Sequence, residues 1–284
     1  MKLLNTRTNR EIIFDNKAYV LNEADLGVSE ASHNSFKGVN QVGEYLVNST
    51  LEGRDVAITG FVLADTPDQM AIRKRELYRL LNPLDKFQLI RDGFKLECVA
   101  QSTVKFAPKR AQNSSEAAKF VLDAWCPDPC FTPLSKSRVN IATWSGKFAF
   151  PLSIPPEGII MGVRTPSTII NIRNEGDLPA GILLEFRARG QVVNPSILNV
   201  NSREYMKLNH TMEAGETIRI NTNYGQKTAA SIIGSSETSV MGHWDLGGTF
   251  LQLAVGDNVF RYDAEENISN LEVEMAFYPK YLGV

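Results

Sequence analysis

The chain has 284 residues, 43% of them hydrophobic and 22% charged, with a formal net charge of −2. That length suits two domains better than one, and the composition supports packed cores without disulfide or metal staples. The near-neutral balance excludes nonspecific nucleic-acid binding through the whole surface and leaves only a local basic patch open.

The opening MKLLNTRTNREIIF has no signal-peptide core, because Leu3-Leu4 is followed at once by polar residues. No apolar run approaches the ~18 residues of a membrane span. The expectation is a chain made and folded in a cytoplasm, without membrane insertion.

The stretch DVAITGFVLA (Asp55–Ala64) sets Val56, Ile58 and Val62 at period two, the pattern of a half-buried strand. Gly60 falls on the same face and marks a bulge or a close backbone approach. A helix near 67–82 follows, in DTPDQMAIRKRELYRLLNP. Asp65 or Thr66 caps it, Pro67 fits its first turn and Pro83 stops it. Met70, Leu77, Leu81 and more loosely Leu80 form one apolar stripe for packing on a sheet. Ile72 lies nearly opposite, among Arg75, Glu76 and Arg79. It is either a lone exposed apolar residue or part of a second contact face used in oligomerisation. Arg73, Lys74, Arg75 and Arg79 spread around the helix, which fits a solvated face or a basic surface toward an acidic partner.

KFQLI and FKLECVA make a hairpin on the Asp92-Gly93 turn, with Phe94, Leu96 and Cys98 on one face. Lys109–Glu116 reads as a polar loop. AKFVLDAW (Ala118–Trp125) is a strand with Phe120, Leu122 and Ala124 alternating. Pro127, Pro129 and Pro133 then interrupt the chain and place a domain boundary near 127–140. The division is 1–135 and 136–284.

Beyond it, STIINIRNEGDLPAGILLEFRARG reads as two strands around a polar turn, and ETIRINTNYGQKTAA as a hairpin turning at Asn223–Gly225. Gly256-Asp257-Asn258 separates two apolar runs. Leu271, Val273, Met275 and Phe277 alternate with Glu272, Glu274 and Ala276. Many short strands with regular turn signals indicate a β-sandwich or jelly roll. The fold class is mainly β, with one helix in the first half.

Signals for chemistry are weak. There is no nucleophile elbow, Walker lysine loop, His-Glu-x-x-His or dinucleotide fingerprint. Cys98, Cys126 and Cys130 are too few for a metal site without histidines, and His33, His210 and His243 are isolated in sequence. They read as structural thiols. His243, Trp244 and Asp245 are adjacent and would point to opposite faces of a strand, so they assemble no site alone. Trp244 is retained as a weak candidate for a partner-binding surface. Glu265-Glu266 reads as a solvated turn. No catalytic residue, cofactor or metal is assigned.

RDVAITGFVLA, LYRLLNP, DAWCPDPCF, NEGDLPAGILLEFRARGQVVNPSILN, AGETIRINTNYG, LAVGDNVFRYDA and MAFYPKYLGV occur in an order and spacing that resemble siphophage distal tail proteins, the family called Dit. The resemblance spans nearly the whole chain. Cys130 stands where that family often has an aromatic residue. The resemblance implies an N-terminal β-rich domain with one helix that forms a homohexameric ring, and a C-terminal galectin-like β-sandwich. It implies a place at the distal end of a phage tail, assembled in the host cytoplasm. The implied partners are the tail tube protein, a tail-tip or fibre (Tal-like) protein, the tape-measure protein and receptor-binding proteins, with DNA only in transit. On this reading Ile72, Arg75 and Arg79 face a subunit interface or the lumen. A glycan-binding module for host recognition is the alternative, and a wall-degrading enzyme is a third.

GQVVNPSILNVNSREYMKL (Gly190–Leu208) bears on that alternative. It reads as two strands separated by a break at Asn194-Pro195. The galectin signature has His before and Arg after its x-Asn-Pro core, whereas Val192 and Ser196 stand here. Val192, Val193, Ile197 and Leu198 suit packing between sheets, so the stretch is expected to keep the scaffold without the lectin chemistry.

Overall fold

The computed structural model describes residues 1–107, 114, 116–142, 144–146, 162–164 and 168–284. The polar stretch at 109–116 lies outside them except for Ser114 and Glu116. The chain forms two compact units: Met1–Leu134 with Tyr281–Val284, and Ser135–Lys280. The last four residues thus belong to the first unit, not to the second stretch of chain to which the sequence reading assigns them.

The first unit contains β1 (Lys2–Asn5), β2 (Glu11–Ile13), β3 (Tyr19–Asp25), β4 (Ala31–Phe36), β5 (Tyr45–Leu51), β6 (Arg54–Leu63), α1 (Pro67–Leu80), β7 (Lys86–Arg91), β8 (Phe94–Ala100), β9 (Lys105–Phe106), β10 (Ala117–Cys126) and β11 (Thr132–Pro133). Its main sheet has the order β2-β1-β7-β8-β10-β6-β3. Alternation does what the sequence predicts. Val56, Ile58 and Val62 of β6 meet Phe120, Leu122 and Ala124 of β10 in one core, and the residues between them are partly or fully exposed. Gly60 is a close approach: a Cβ there would stand 2.5 Å from the Val20 carbonyl and 2.8 Å from the Phe120 ring. The bulge lies in the partner strand, where the β3 register shifts between Leu21 and Glu23.

α1 closes this core. The Thr66 hydroxyl accepts from the Gln69 amide at 3.3 Å, and Pro67 occupies the first turn. The helix ends at Leu80, two residues short of the expected boundary, and Leu81 caps it by donating its amide to the Leu77 carbonyl. Met70, Leu77, Leu80 and Leu81 are all buried in the sheet's core. Each buried leucine contributes roughly 2 kcal/mol by removal of apolar area from water. Arg73 is turned back to the Leu63 carbonyl, and Lys74 lies over the Phe106 ring.

The second unit contains β12 (Ser137–Ala142), a short pair β13 (Trp144–Gly146) and β14 (Gly162–Arg164), β15 (Ile169–Asn174), β16 (Ala180–Ala188), β17 (Val192–Asn199), β18 (Tyr205–Lys207), β19 (Thr211–Met212), β20 (Thr217–Asn221), β21 (Thr228–Ile233), β22 (Ser236–Ser239), β23 (Gln252–Leu253), β24 (Gly256–Glu266) and β25 (Leu271–Phe277). Two sheets, β12-β25-β16-β20-β21-β22 and β15-β24-β17-β18, share one core. Leu184, Phe186, Ile220 and Met275 come from the first and Ile172, Ile197, Phe260 and Tyr262 from the second. This is a β-sandwich. Glu272 and Glu274 point outward as predicted and enter a cross-strand ladder with Arg138, Arg187 and Arg189.

Three readings of the sequence change here. The predicted break at Asn194-Pro195 lies inside one continuous strand, β17, which keeps its register with β24 from Val193 to Asn199. Asn194 takes a left-handed conformation (φ 51°), which its short side chain tolerates. On the other side, between Val193↔Thr211 and Ser196↔Lys207, two residues of β17 face three of the partner segment, so the extra residue belongs to that segment. Gly256-Asp257-Asn258 opens β24 instead of turning: Gly256 (φ 85°) makes the bend, and the Asn258 side chain clamps the amide and carbonyl of Ala254. Glu265 is no free turn residue. It is the penultimate residue of β24 and accepts from Lys207 at 2.6 Å and Asn194 at 2.7 Å.

Candidate interaction surfaces

The outward face of α1 carries Ile72, Arg75, Glu76 and Arg79 at i, i+3, i+4 and i+7, one stripe of a helix. All four are exposed, and Ile72 keeps 59% of its surface in water. The structure therefore brings the three predicted interface residues together, opposite the buried Met70–Leu77 stripe.

A second surface went unread in the sequence. β4 and β5 pair only with each other among the described residues, and every residue in them is exposed. Phe36, Tyr45, Leu46 and Val47 are each more than half exposed, and the connecting turn adds Val39 and Val42. A two-stranded hairpin is at best marginal in water by itself, and a cluster of exposed apolar side chains marks a contact site. The signal available was the Gly- and Asn-containing turn KGVNQVGE between the short runs ASHNSF and YLVNSTL.

Trp244 is used mainly within its own unit. Its ring stacks on Phe250 with centroids 4.3 Å apart and planes 9° apart, and its Nε1 donates to the Gly248 carbonyl at 3.4 Å. Lys227 lies over Phe250 and over the exposed ring of Tyr224. Trp244 is half-buried and packed against the sandwich core.

The fold also joins two histidines that are distant in sequence. His210 Nδ1 and His243 Nδ1 are 3.2 Å apart, and His210 Nε2 donates to Glu216 at 2.8 Å. That bond leaves His210 Nδ1 as acceptor for a proton on His243 when both rings are neutral. Burial opposes ionisation of Glu216. The Ser231 hydroxyl at 2.5 Å, the Glu213 amide at 3.0 Å and His210 outweigh it and hold the carboxyl below the ordinary glutamate range. The cluster ties the loop after β18 to β20 and β21. Among the described residues no group of three His, Cys, Asp or Glu side chains is arranged to hold a metal ion.

Around Asn194 the polar groups are used internally. Val192 is fully buried, so it cannot touch a ligand, and the Asn194 amide is held by Glu265.

Two family models match the chain, the first inside the first unit and the second over the second unit as far as Tyr281. Residues 22–120 match the phage tail protein RIFT-related domain, and residues 175–281 match the C-terminal domain of the siphovirus-type tail component. The chain belongs to the siphophage distal tail protein family. It is thus a structural component of a phage tail. Solved structures share the fold of these distal tail proteins. The Dit protein of phage SPP1, described as a paradigm of the hub adsorption apparatus in phages infecting Gram-positive hosts, superposes with a TM-score of 0.68 at 9% identity, covering 99% of both chains. A chain of the phage P2 baseplate in its calcium-activated conformation gives 0.54 at 9% identity, over 100% of this chain and 98% of that one. The strontium-activated p2 baseplate gives 0.53 at 9%, with the same coverage. No curated protein is similar to the chain in sequence at a significant level.

Proposed function

We propose that this distal tail protein is the hub of a tail tip or baseplate. Six copies of the first unit form a ring that joins the tail tube to the tail-tip or fibre protein and to receptor-binding proteins, and DNA passes through the ring. The second unit, a galectin-like sandwich, serves as a docking platform. The observation that carries this reading is the succession of the two family models along the chain, at residues 22–120 and 175–281.

Ring closure needs two different, complementary surfaces on each subunit. The exposed helix stripe of Ile72, Arg75 and Arg79 and the unsupported β4–β5 hairpin are the two candidates in the first unit. The role is structural and not enzymatic. The His210–His243 row is accounted for by its internal bonds to Glu216 and Ser231. The lectin alternative loses its residues at Val192 and Ser196, and Asn194 is already paired.

Light-scattering mass with negative-stain imaging tests the proposal. A ring of six is expected, alone or on adding the tail-tip partner. A monomer that persists at high concentration with the tail tube and tail-tip proteins both present would sink it.

A further inference from the structure

Three cysteines are buried in the first unit, and two of them face each other. β8 and β10 pair Ala100 with Ala124 and Val99 with Trp125. One step further, the same register sets Cys98 opposite Cys126, and their Sγ atoms are 2.6 Å apart. Directly opposed residues on antiparallel strands have Cα atoms about 4.5–5.5 Å apart. That lies inside the roughly 4.4–6.8 Å window of a disulfide. Exposure is 1% at Cys98 and 0% at Cys126, so neither thiol is placed for metal or substrate. Their position matters to the sheet. β10 pairs with β6 along its whole length but meets β8 only at its C-terminal end. The thiols sit beside that short seam, just before the chain enters Pro127 and leaves for the second unit.

We propose that Cys98 and Cys126 are an oxidation site, closing to a cross-strand disulfide that staples β8 to β10. The oxidant is a small disulfide such as oxidised glutathione. One cysteine thiolate attacks it, expels one glutathione thiolate and becomes a mixed disulfide. The second cysteine thiolate attacks the protein sulfur of that mixed disulfide and expels the other glutathione. Two protons leave the cysteines, and their two electrons reduce the glutathione disulfide to two thiols. The hydrogen bond between the sulfurs, and then burial, push the Cys98 thiol far above its ordinary value. Cys98 therefore stays protonated, and both buried thiols react only through local opening. On the tail-component reading the chain folds reduced in the cytoplasm and closes the staple after release into an oxidising medium. The chemistry itself does not depend on that reading.

The full-length chain is tested in two arms, by incubation of the folded protein with oxidised glutathione and by refolding from denaturant in a glutathione redox buffer. Alkylation and peptide mass mapping then locate the bonds. The expected product links the peptide holding Cys98 to the peptide holding Cys126 and Cys130, and leaves one alkylatable thiol. Cys130→Ser should keep the link and Cys126→Ser should abolish it. The oxidised protein should unfold at higher urea than the reduced one, with dithiothreitol reversing the shift. Three alkylatable thiols after refolding, or a dominant bond to Cys130, would overturn the proposal.

Discussion

Phe131 and Tyr281 donate backbone hydrogen bonds to each other's carbonyls, both at 2.9 Å. This bridge ties the chain leaving the first unit to the chain returning to it. The Tyr281 ring meets Phe94 edge-on at 5.5 Å, and buried Arg54 donates to the Leu282 carbonyl at 2.6 Å while lying over the Phe131 ring. The C-terminal residues are therefore part of the first unit's fold. Deleting residues 281–284 removes one acceptor of the buried Arg54 guanidinium and leaves it Ser29 and Leu26, and losing a hydrogen bond to a charged group costs about 1.5–3 kcal/mol. Tyr281→Ala is expected to cost about 1–2 kcal/mol through the lost ring contact. Urea unfolding, with hydrogen exchange at β8 and β10 as the local readout, checks both. Unchanged exchange in the deletion variant would show that the tail is an ornament.

Gly60 is a position where only glycine fits. The Val20 carbonyl occupies the space a Cβ would need, and the Phe120 ring closes the other side. Backbone cannot yield as a flexible side chain can, so Gly60→Ala is expected to lose about 1–3 kcal/mol, the range for overpacking. Thermal melting checks it, and Phe120→Leu in the same chain should recover part of the loss by opening one wall. No recovery would leave the Val20 carbonyl as the sole obstacle.

Such positions show what sequence makes legible. β6 and β10 were readable because one face of each is buried and the other is partly wet, so period two survives in the letters; β25 keeps it through Glu272 and Glu274 but loses it at buried Ala276. α1 was readable because its cap, its first-turn proline and its stripe agree. The step at Asn194 was misread because Asn-Pro carries the same local signal at a strand break and within a continuous strand. What separates them is the neighbour: β18 and β19 are interrupted at that level, and the missing proline amide falls where the ladder is already open. The His210–His243 contact was hidden for another reason. It joins positions 33 apart, and no local pattern encodes that meeting. The β4–β5 hairpin lacks a buried face, so the cue used elsewhere had nothing to report.

Glu216 predicts an acid-sensitive second unit. Its carboxyl is held below the ordinary range by Ser231, Glu213 and His210 in spite of burial. A carboxyl lowered on folding stabilises the fold above its unfolded value, and that contribution is lost as pH falls through the folded value. Stability of the sandwich should therefore drop on acidification below about pH 4. Glu216→Gln should cost about 1–3 kcal/mol at neutral pH, because an amide nitrogen then faces a donor, and should flatten the acid limb. Urea midpoints from pH 3 to pH 7 for both proteins check the sign. A variant with an equally steep acid limb would assign the sensitivity to other carboxylates.

Ile72, Arg75 and Arg79 make the interface proposal testable without disturbing the fold. Their side chains lie outside the core, so Ile72→Asp with Arg75→Glu should change monomer stability by less than about 1 kcal/mol. Arg79 sits in the last turn of α1, where a cation complements the helix dipole. Arg79→Glu should add a loss of about 0.3–1 kcal/mol and is best replaced by glutamine. If the helix face closes the ring, the variant should stay monomeric at concentrations where the parent assembles. Raising salt should weaken the parent ring where the arginines meet acidic groups. A parallel Tyr45→Asp and Val47→Asp variant probes the hairpin, whose exposed apolar side chains make no contribution to the buried core. Loss of assembly in the hairpin variant alone would move the contact from α1 to β4–β5. Loss in both, with each unfolding like the parent, would identify them as the two halves of one heterologous interface, since each subunit must offer one surface and receive the other.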